Sequence, residues 1–250
     1  MKDRQRKIRL FVPELASAAP QAQTGLELAL PAAELHHALH VLRLRAGDGV
    51  EVFDGAGRRA AATVSRIGRN EAAVTVGDIV TVSARPSPAV NMAFALPKGE
   101  RLDWLLEKAA ELGAASLRPI VFERSLGGRE ELSDAKRGRW MAHCVSAAKQ
   151  SCLDFLPELR EPMDLAEFLL LPDNGLVLAG DLSAGACTMR QALASPAPLI
   201  TLLVGPEGGL SVAELEQVRR AGVRLVRLGS TTLRIETAAL ALLAAVAVMQ

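Results

Sequence analysis

The chain has 250 residues, half of them apolar and about a quarter charged, with a formal net charge of +1. That length supports one large domain or two small ones around a buried core, and the composition is that of an ordinary globular protein. A membrane span is not expected, because the longest Ala/Leu-rich stretch, residues 238–249, is too short for a bilayer, and six Phe, two Trp and no Tyr argue against a broad aromatic stacking platform.

At the N-terminus, "MKDRQRKIRL" lacks the apolar core of a signal peptide and carries five bases in nine residues, Lys2, Arg4, Arg6, Lys7 and Arg9. Residues 1–85 hold 12 bases against 9 acids, whereas the remainder holds 17 against 19. His36, His37 and His40 also fall in the first part, an asymmetry that hints at a polyanion contact there and is equally read as a solvated basic tail. Cys144, Cys152 and Cys187 form no CxxC pair and cannot all pair with one another, which predicts structural thiols in a reducing, cytoplasmic setting.

The stretch "PAAELHHALHVLRLRAGD" reads as a short helix with Leu35, Leu39 and Leu42 on its apolar side, closed near Gly47. After it, "VEVFD", "RRAAATVSRI" and "EAAVTVGDIVTV" are strands separated by the turns "GAG" and "GRN", a pattern that predicts a small antiparallel barrel. Two prolines in "ARPSPAV" mark a linker, which divides the chain into domains at 1–84 and 85–250.

Beyond the linker, strands and helices alternate. The strand "AVNMAFAL" leads to a helix in "KGERLDWLLEKAAELGA", with Leu102, Leu105, Leu106, Ala109 and Leu112 in one stripe and Gly113 just past its end. Next come the strand "SLRPIVF", a helix capped by Ser133, the strand "GLVLAG", the run "LITLLV", the strand "VRLVRLG" and a final helix. Such alternation predicts an α/β domain with a mainly parallel sheet covered by helices.

"LITLLV" has no polar break and suits a central strand buried on both faces. Ser211 and Glu214 form a capping box for the helix that follows, so the "GPEGGL" loop joins the carboxyl end of a strand to the amino end of a helix. Ligands bind at that place in open α/β sheets. Phosphate is a poor fit, because Leu210-Ser211 stands where a phosphate loop needs Lys-Ser/Thr, and the loop carries an acid, Glu207. A second strand–loop–helix unit, "RLGSTTLRIETAAL", supplies Gly229, small hydroxyl residues, Leu233, Arg234 and Glu236. Two such units in succession place both loops on one edge of the sheet.

Together, "LLVGPEGGLSVAELE" and "LGSTTLRIETAAL" resemble the paired signatures of the ribosomal RNA small subunit methyltransferase E family, in the SPOUT superfamily. "LFVPEL", "HHALHVLRLRAGDGVEVFDGAG" and "LPKGERLDWLLEKAAELGAASLRPIVFERS" agree, so the resemblance covers nearly the whole chain in order. It implies a PUA-like N-terminal β-barrel that binds RNA and a C-terminal SPOUT domain with a deep trefoil knot, which local periodicity cannot show. It also implies a homodimer that uses S-adenosyl-L-methionine to methylate N3 of one uridine in 16S ribosomal RNA of the small ribosomal subunit, with no metal and no membrane. Cofactor contacts would fall on Gly180, on Val204, Gly205, Pro206, Glu207, Gly208, Gly209 and Leu210, and on Leu228, Gly229 and Leu233. Arg234 is the expected catalytic cation, with Glu207 and Glu236 as candidate bases, and Arg9, Arg43, Arg45, Arg124 and Lys149 are the expected RNA contacts. In "AAKQSCLDFLPEL", Lys149 and Leu153 stand where many members have an acid and an arginine, and His40 stands where an arginine is common. A ribose 2′-hydroxyl target and a non-catalytic assembly factor are the competing readings.

Overall fold

The computed structural model describes residues 8–17, 25–82, 84–125, 129–183 and 185–249. Lys2, Arg4, Arg6 and Lys7 lie outside the described residues. Packing divides the chain into two units, one taking residues up to Arg85 together with Ala148–Leu156, the other Pro86–Ala147 and Pro157 onward.

The first unit contains β1 (Arg9–Phe11), β2 (Leu26–Ala29), α1 (Ala32–His36), β3 (Gly49–Phe53), β4 (Arg58–Ile67) and β5 (Ala72–Thr81). They form one sheet in the order β1-β3-β4-β5-β2, antiparallel except for β1, which lies parallel to β3. In β4 the inward residues Ala60, Ala62 and Val64 alternate with outward ones, and they join Leu10, Val52 and Val74 in the core. α1 runs into a π-helical turn, His37–Val41, in which the Leu42 N–H donates to the His37 carbonyl at 3.0 Å. The wider turn moves the buried face to Leu35, Ala38 and Leu42, rather than the expected Leu35, Leu39 and Leu42, and the helix stops well before Gly47.

Residues 148–156 return to this first sheet, which a single boundary near residue 85 does not describe. They pack on the Gly55–Ala56–Gly57 turn, where the Leu156 N–H donates to the Gly55 carbonyl at 2.8 Å and the Gly57 N–H to the Asp154 carbonyl at 3.0 Å. A Cβ on Gly57 would stand 2.6 Å from the Phe155 ring, and one on Gly55 2.5 Å from the Leu156 side chain. These glycines therefore admit the returning segment as well as making a turn.

The second unit contains β6 (Ala89–Phe94), α2 (Glu100–Glu111), β7 (Ser116–Val121), most of α3 (Asp134–Ser151), β8 (Glu158–Leu159), β9 (Met163–Asp164) and α4 (Leu165–Leu169). There follow β10 (Leu176–Gly180), β11 (Cys187–Thr188), α5 (Met189–Ala192), β12 (Leu199–Val204), α6 (Val212–Arg220), β13 (Arg224–Arg227) and α7 (Ile235–Val248). The sheet order is β11-β13-β10-β12-β6-β7-β8, with β9 also on β7, and its recorded pairings are parallel. β12 lies between β10 and β6 with Ile200 to Val204 buried, as an apolar run with no polar break requires. α2 buries Leu105, Leu106, Ala109 and Ala110 and ends at Gly113, whose φ of 80° suits a residue without a Cβ. Ser133 accepts the Lys136 N–H at 3.3 Å and caps α3. Among the described residues, no helix is long and apolar enough to cross a membrane.

Candidate active site

β13, β10 and β12 are neighbours and parallel, so the loops after them leave the same edge of the sheet. These three loops surround a cavity of about 430 Å³. Every position singled out for the cofactor lines it: Gly180 at the end of β10, Val204 at the end of β12 with residues 205–210 after it, and Leu228, Gly229 and Leu233 after β13.

The middle loop is held from several sides. Ser211 Oγ accepts the Glu214 N–H at 3.2 Å while Glu214 Oε2 accepts the Ser211 N–H at 2.8 Å, which closes the capping box. The other oxygen of the buried Glu214, Oε1, accepts the Glu123 N–H at 2.7 Å. Next to Glu123, Arg124 donates from Nη1 to the Gly208 carbonyl at 2.6 Å, and its stem would lie 3.3 Å from a Cβ on Gly208. Gly209 has a φ of 69°, and its N–H donates to the Pro206 carbonyl at 2.8 Å. Glu207 accepts a hydrogen bond from Arg101, in the first turn of α2. That bond raises the Arg101 guanidinium above its ordinary range, with a smaller electrostatic contribution from Glu236.

In the third loop, Arg234 is the N-cap residue of α7 and is exposed, and its guanidinium has no hydrogen bond or ion pair among the described residues. Glu236 lies in the first turn of α7 at 6% exposure, and its Oε2 has no hydrogen-bond partner among the described residues. The cavity wall combines backbone groups, apolar side chains such as Leu203, Val226 and Ile235, the hydroxyls of Thr231 and Thr232, and the carboxylates of Asp181 and Glu207. No lysine or arginine lines it among the described residues, so it suits a neutral or cationic guest rather than a phosphate.

Sequence reasoning missed Arg101 and Asp181. Asp181 was findable as the residue after Gly180. Arg101 looks like a solvated base at a helix start, and only its bond to a loop 106 positions away distinguishes it.

The expected RNA contacts divide into two groups. Arg43, Arg45 and Arg124 are exposed, and Arg43 carries a φ of 53°, unusual for a residue with a side chain. Arg9 is 3% exposed and committed elsewhere. It donates from Nη1 to the carbonyls of Ala148 (3.2 Å) and Leu153 (2.9 Å) and from Nη2 to Asp154 Oδ1 (2.8 Å). Its Nε lies 2.8 Å from Glu51, and its guanidinium lies 4.4 Å from the Phe53 ring centre. Lys149 donates to both oxygens of the buried Glu34 at 2.9 Å, and nearby His37 is held below its usual range by burial and then by the Lys149 charge. Internal partners therefore engage both Arg9, which is buried, and Lys149, which is partly exposed.

The chain matches the model of an RNA methyltransferase domain over residues 85–247 and that of an RNA methyltransferase PUA domain over residues 30–77. It is 32% identical over 230 residues to ribosomal RNA small subunit methyltransferase E of Synechocystis sp., covering 88% of this chain and 72% of that protein. The protein of the same name from Mycobacterium bovis is 33% identical over 238 residues, with coverages of 90% and 88%. Among solved structures, ribosomal RNA small subunit methyltransferase E from Neisseria gonorrhoeae, bound to S-adenosyl methionine, superposes with a TM-score of 0.83 at 29% identity, over 97% of this chain and 98% of that one. With both domain models matched and the similarity running almost end to end, the chain belongs to the ribosomal RNA small subunit methyltransferase E family and is an RNA methyltransferase.

Proposed function

We propose that the three-loop cavity takes S-adenosyl-L-methionine and that the protein methylates N3 of one uridine in 16S ribosomal RNA of the small ribosomal subunit. One observation carries this reading: loops from three adjacent parallel strands converge on a single cavity rich in glycine backbone and free of lysine and arginine among the described residues. Its volume of about 430 Å³ is in the range of small-molecule sites. Leu210, Leu228 and Leu233 supply apolar wall, the glycines let backbone donors and acceptors approach, and Asp181 and Glu207 tolerate a cationic group. When bound, the cofactor supplies a methyl group on a sulfonium, an electrophile that needs no further activation.

The residues must then provide a nucleophile. Uracil N3 holds its proton about two to three pH units above neutrality, a deficit of about 3–4 kcal/mol. Arg234, whose guanidinium has no hydrogen bond or ion pair among the described residues, would favour the anion by donating to a uracil carbonyl. Glu207 accepts from Arg101. Of the two candidate bases that leaves Glu236, whose Oε2 has no hydrogen-bond partner among the described residues. RNA recruitment falls to Arg43, Arg45 and Arg124, which are exposed.

The reading includes the knotted threading of its family, a cytoplasmic site of action and a homodimer. Support for the dimer is that α7 is apolar throughout after its first turn, that Val248 and the following Met249 are exposed, and that α7 packs against α2, which exposes Trp104. Light scattering would give its mass.

The decisive experiment transfers labelled methyl to small subunits from cells lacking the protein, then digests the RNA to nucleosides. Label in N3-methyluridine supports the proposal, and label in a 2′-O-methyl nucleoside or none at all refutes it. Arg234→Ala is expected to retain cofactor binding by calorimetry and to lose about a hundredfold or more in turnover, the scale of removing a donor to a developing anion. Wild-type turnover would remove Arg234 from the mechanism.

A further inference from the structure

Beside the first cavity lies a second chamber of about 540 Å³, walled by Arg101, Glu207, Thr232, Leu233 and Arg234. Glu207, Thr232 and Leu233 wall both, so the two spaces meet at a shared partition. Their chemistry differs. Among the described residues, the first has carboxylates and no base, whereas the second presents two guanidiniums, one carboxylate, one hydroxyl and one apolar side chain. Two cations against one anion leave a positive balance at its wall, which suits a ligand that brings negative charge. Leu233 and Thr232 add an apolar contact and a hydroxyl, which a nucleotide can use together with its phosphate.

The two arginines stand differently. Arg234 has no partner among the described residues, while Arg101 donates from Nη1 to Glu207 and keeps four further N–H donors. A guanidinium gripped on one side by a carboxylate is pre-set in direction, and phosphate can be met by its remaining donors. We propose that the second chamber receives the target nucleotide, that Arg101 contacts a phosphate of its backbone, and that Glu207 is the positioning residue that aims Arg101. This rests on the reading of the first cavity as the methyl-donor site, since only then does the shared partition bring the nucleotide beside the donor.

The test compares Arg101→Ala, Arg101→Lys, Glu207→Ala and the Arg101/Glu207 double alanine variant in the full-length protein. Three readings are taken: calorimetric affinity for S-adenosylmethionine without RNA, the salt dependence of 16S ribosomal RNA binding, and kcat and KM on small subunits lacking the methylation. Arg101→Ala is expected to lower the slope of log K against log salt by about 0.7–0.9, the value of one phosphate contact, and to raise the RNA KM about tenfold. Its S-adenosylmethionine affinity should stay within about twofold, and Arg101→Lys should recover the slope, since an ammonium still neutralises a phosphate. If Glu207 affects RNA through Arg101, the double variant will have the same RNA KM as Arg101→Ala alone.

An unchanged salt slope in Arg101→Ala overturns the proposal. A tenfold loss of cofactor affinity with that unchanged slope would make Arg101 a brace for the middle loop instead. Additive effects of the two alanine substitutions on RNA KM overturn the positioning role of Glu207. A wild-type protein that binds no S-adenosylmethionine defeats the reading of the first cavity instead, and the salt slope still judges Arg101 by itself.

Discussion

Removing the guanidinium of Arg9 should destabilise the first unit without touching RNA affinity directly. Substitution with alanine takes the Arg9 donor from the Leu153 carbonyl and from the Ala148 carbonyl, which keeps the Leu153 N–H at 3.1 Å, strips Glu51 of its ion pair, and removes the cation over Phe53. Breaking a buried ion pair by deleting one partner costs about 3–5 kcal/mol. Arg59 remains 2.6 Å from Asp154 Oδ2, so Asp154 is not abandoned and the cost belongs at the lower end, about 3 kcal/mol. That is roughly a hundredfold rise in the local opening constant. Tryptophan fluorescence is the wrong probe, because Trp104 and Trp140 both sit in the second unit. Hydrogen exchange resolved to the amides of Gly57 and Leu156, which bond across the returning segment, reads the effect where it arises. Arg9→Lys should recover little, since one ammonium cannot span two carbonyls and a carboxylate at once. Exchange in Arg9→Ala within about threefold of wild type, combined with weaker RNA binding, would refute the argument and return Arg9 to the RNA contacts; on the 1.4 kcal/mol per decade scale it corresponds to less than about 1 kcal/mol.

Gly209→Ala should cost about 1–2 kcal/mol, because the left-handed backbone penalises a Cβ even though nothing lies within 4 Å of it. Thermal unfolding and cofactor calorimetry should both register the change, and an unaltered melting temperature would contradict the assigned conformation. The Cys144 thiol, pushed up to about 12 by burial, should resist iodoacetamide at pH 8 in the native protein. Exposed Cys152 should label, and peptide mass mapping separates the two. His37 is held below its ordinary value, so the unfolded chain takes up a proton more readily than the folded one. Stability should therefore be intact above pH 6.5 and fall as the pH drops through the folded value of His37; His37→Gln should flatten the urea midpoint between pH 7 and 5.5.

Where a local rule governs an element, the sequence predicts it closely. Ser211 and Glu214 form the capping box that their spacing implies, Gly113 takes the left-handed conformation that ends α2, and β12 is the buried central strand that an unbroken apolar run requires. Elements defined by their partners were not predictable in this way. β1 and β2 have three and four residues, too few to show a period, and each exists because a longer strand offers it a ladder. The π-helical turn at His37–Val41 shifts the apolar face by a distance that an α-helical template does not contain. The returning segment was hidden for a different reason. Ala148–Leu156 reads as the end of a helix and a turn, and its attachment to the first sheet depends on Arg9, Glu34 and two glycines far away in sequence.

The candidate site shows the same division in charge. Backbone positions around the cavity were predictable because a strand–loop–helix pattern fixes where a loop must lie, and the glycines mark where the chain must leave room. Charged side chains were less so, since a base near a polyanion-binding protein's surface has the same letter whether it meets RNA or an internal carboxylate. Arg9 and Arg43 are both early arginines in a basic part of the chain, yet one is enclosed by Asp154 and Glu51 and the other is exposed. What separates them is the position of an acid: Asp154 returns to the first sheet from about 145 residues away. Glu207 illustrates the converse. In the sequence it explains why the middle loop rejects phosphate, but its oxygen is already bonded to Arg101, so it serves better as a guide for that arginine than as a base. An acid beside the methyl donor and an arginine beside the nucleotide then become one device, with each charge facing the ligand of opposite sign.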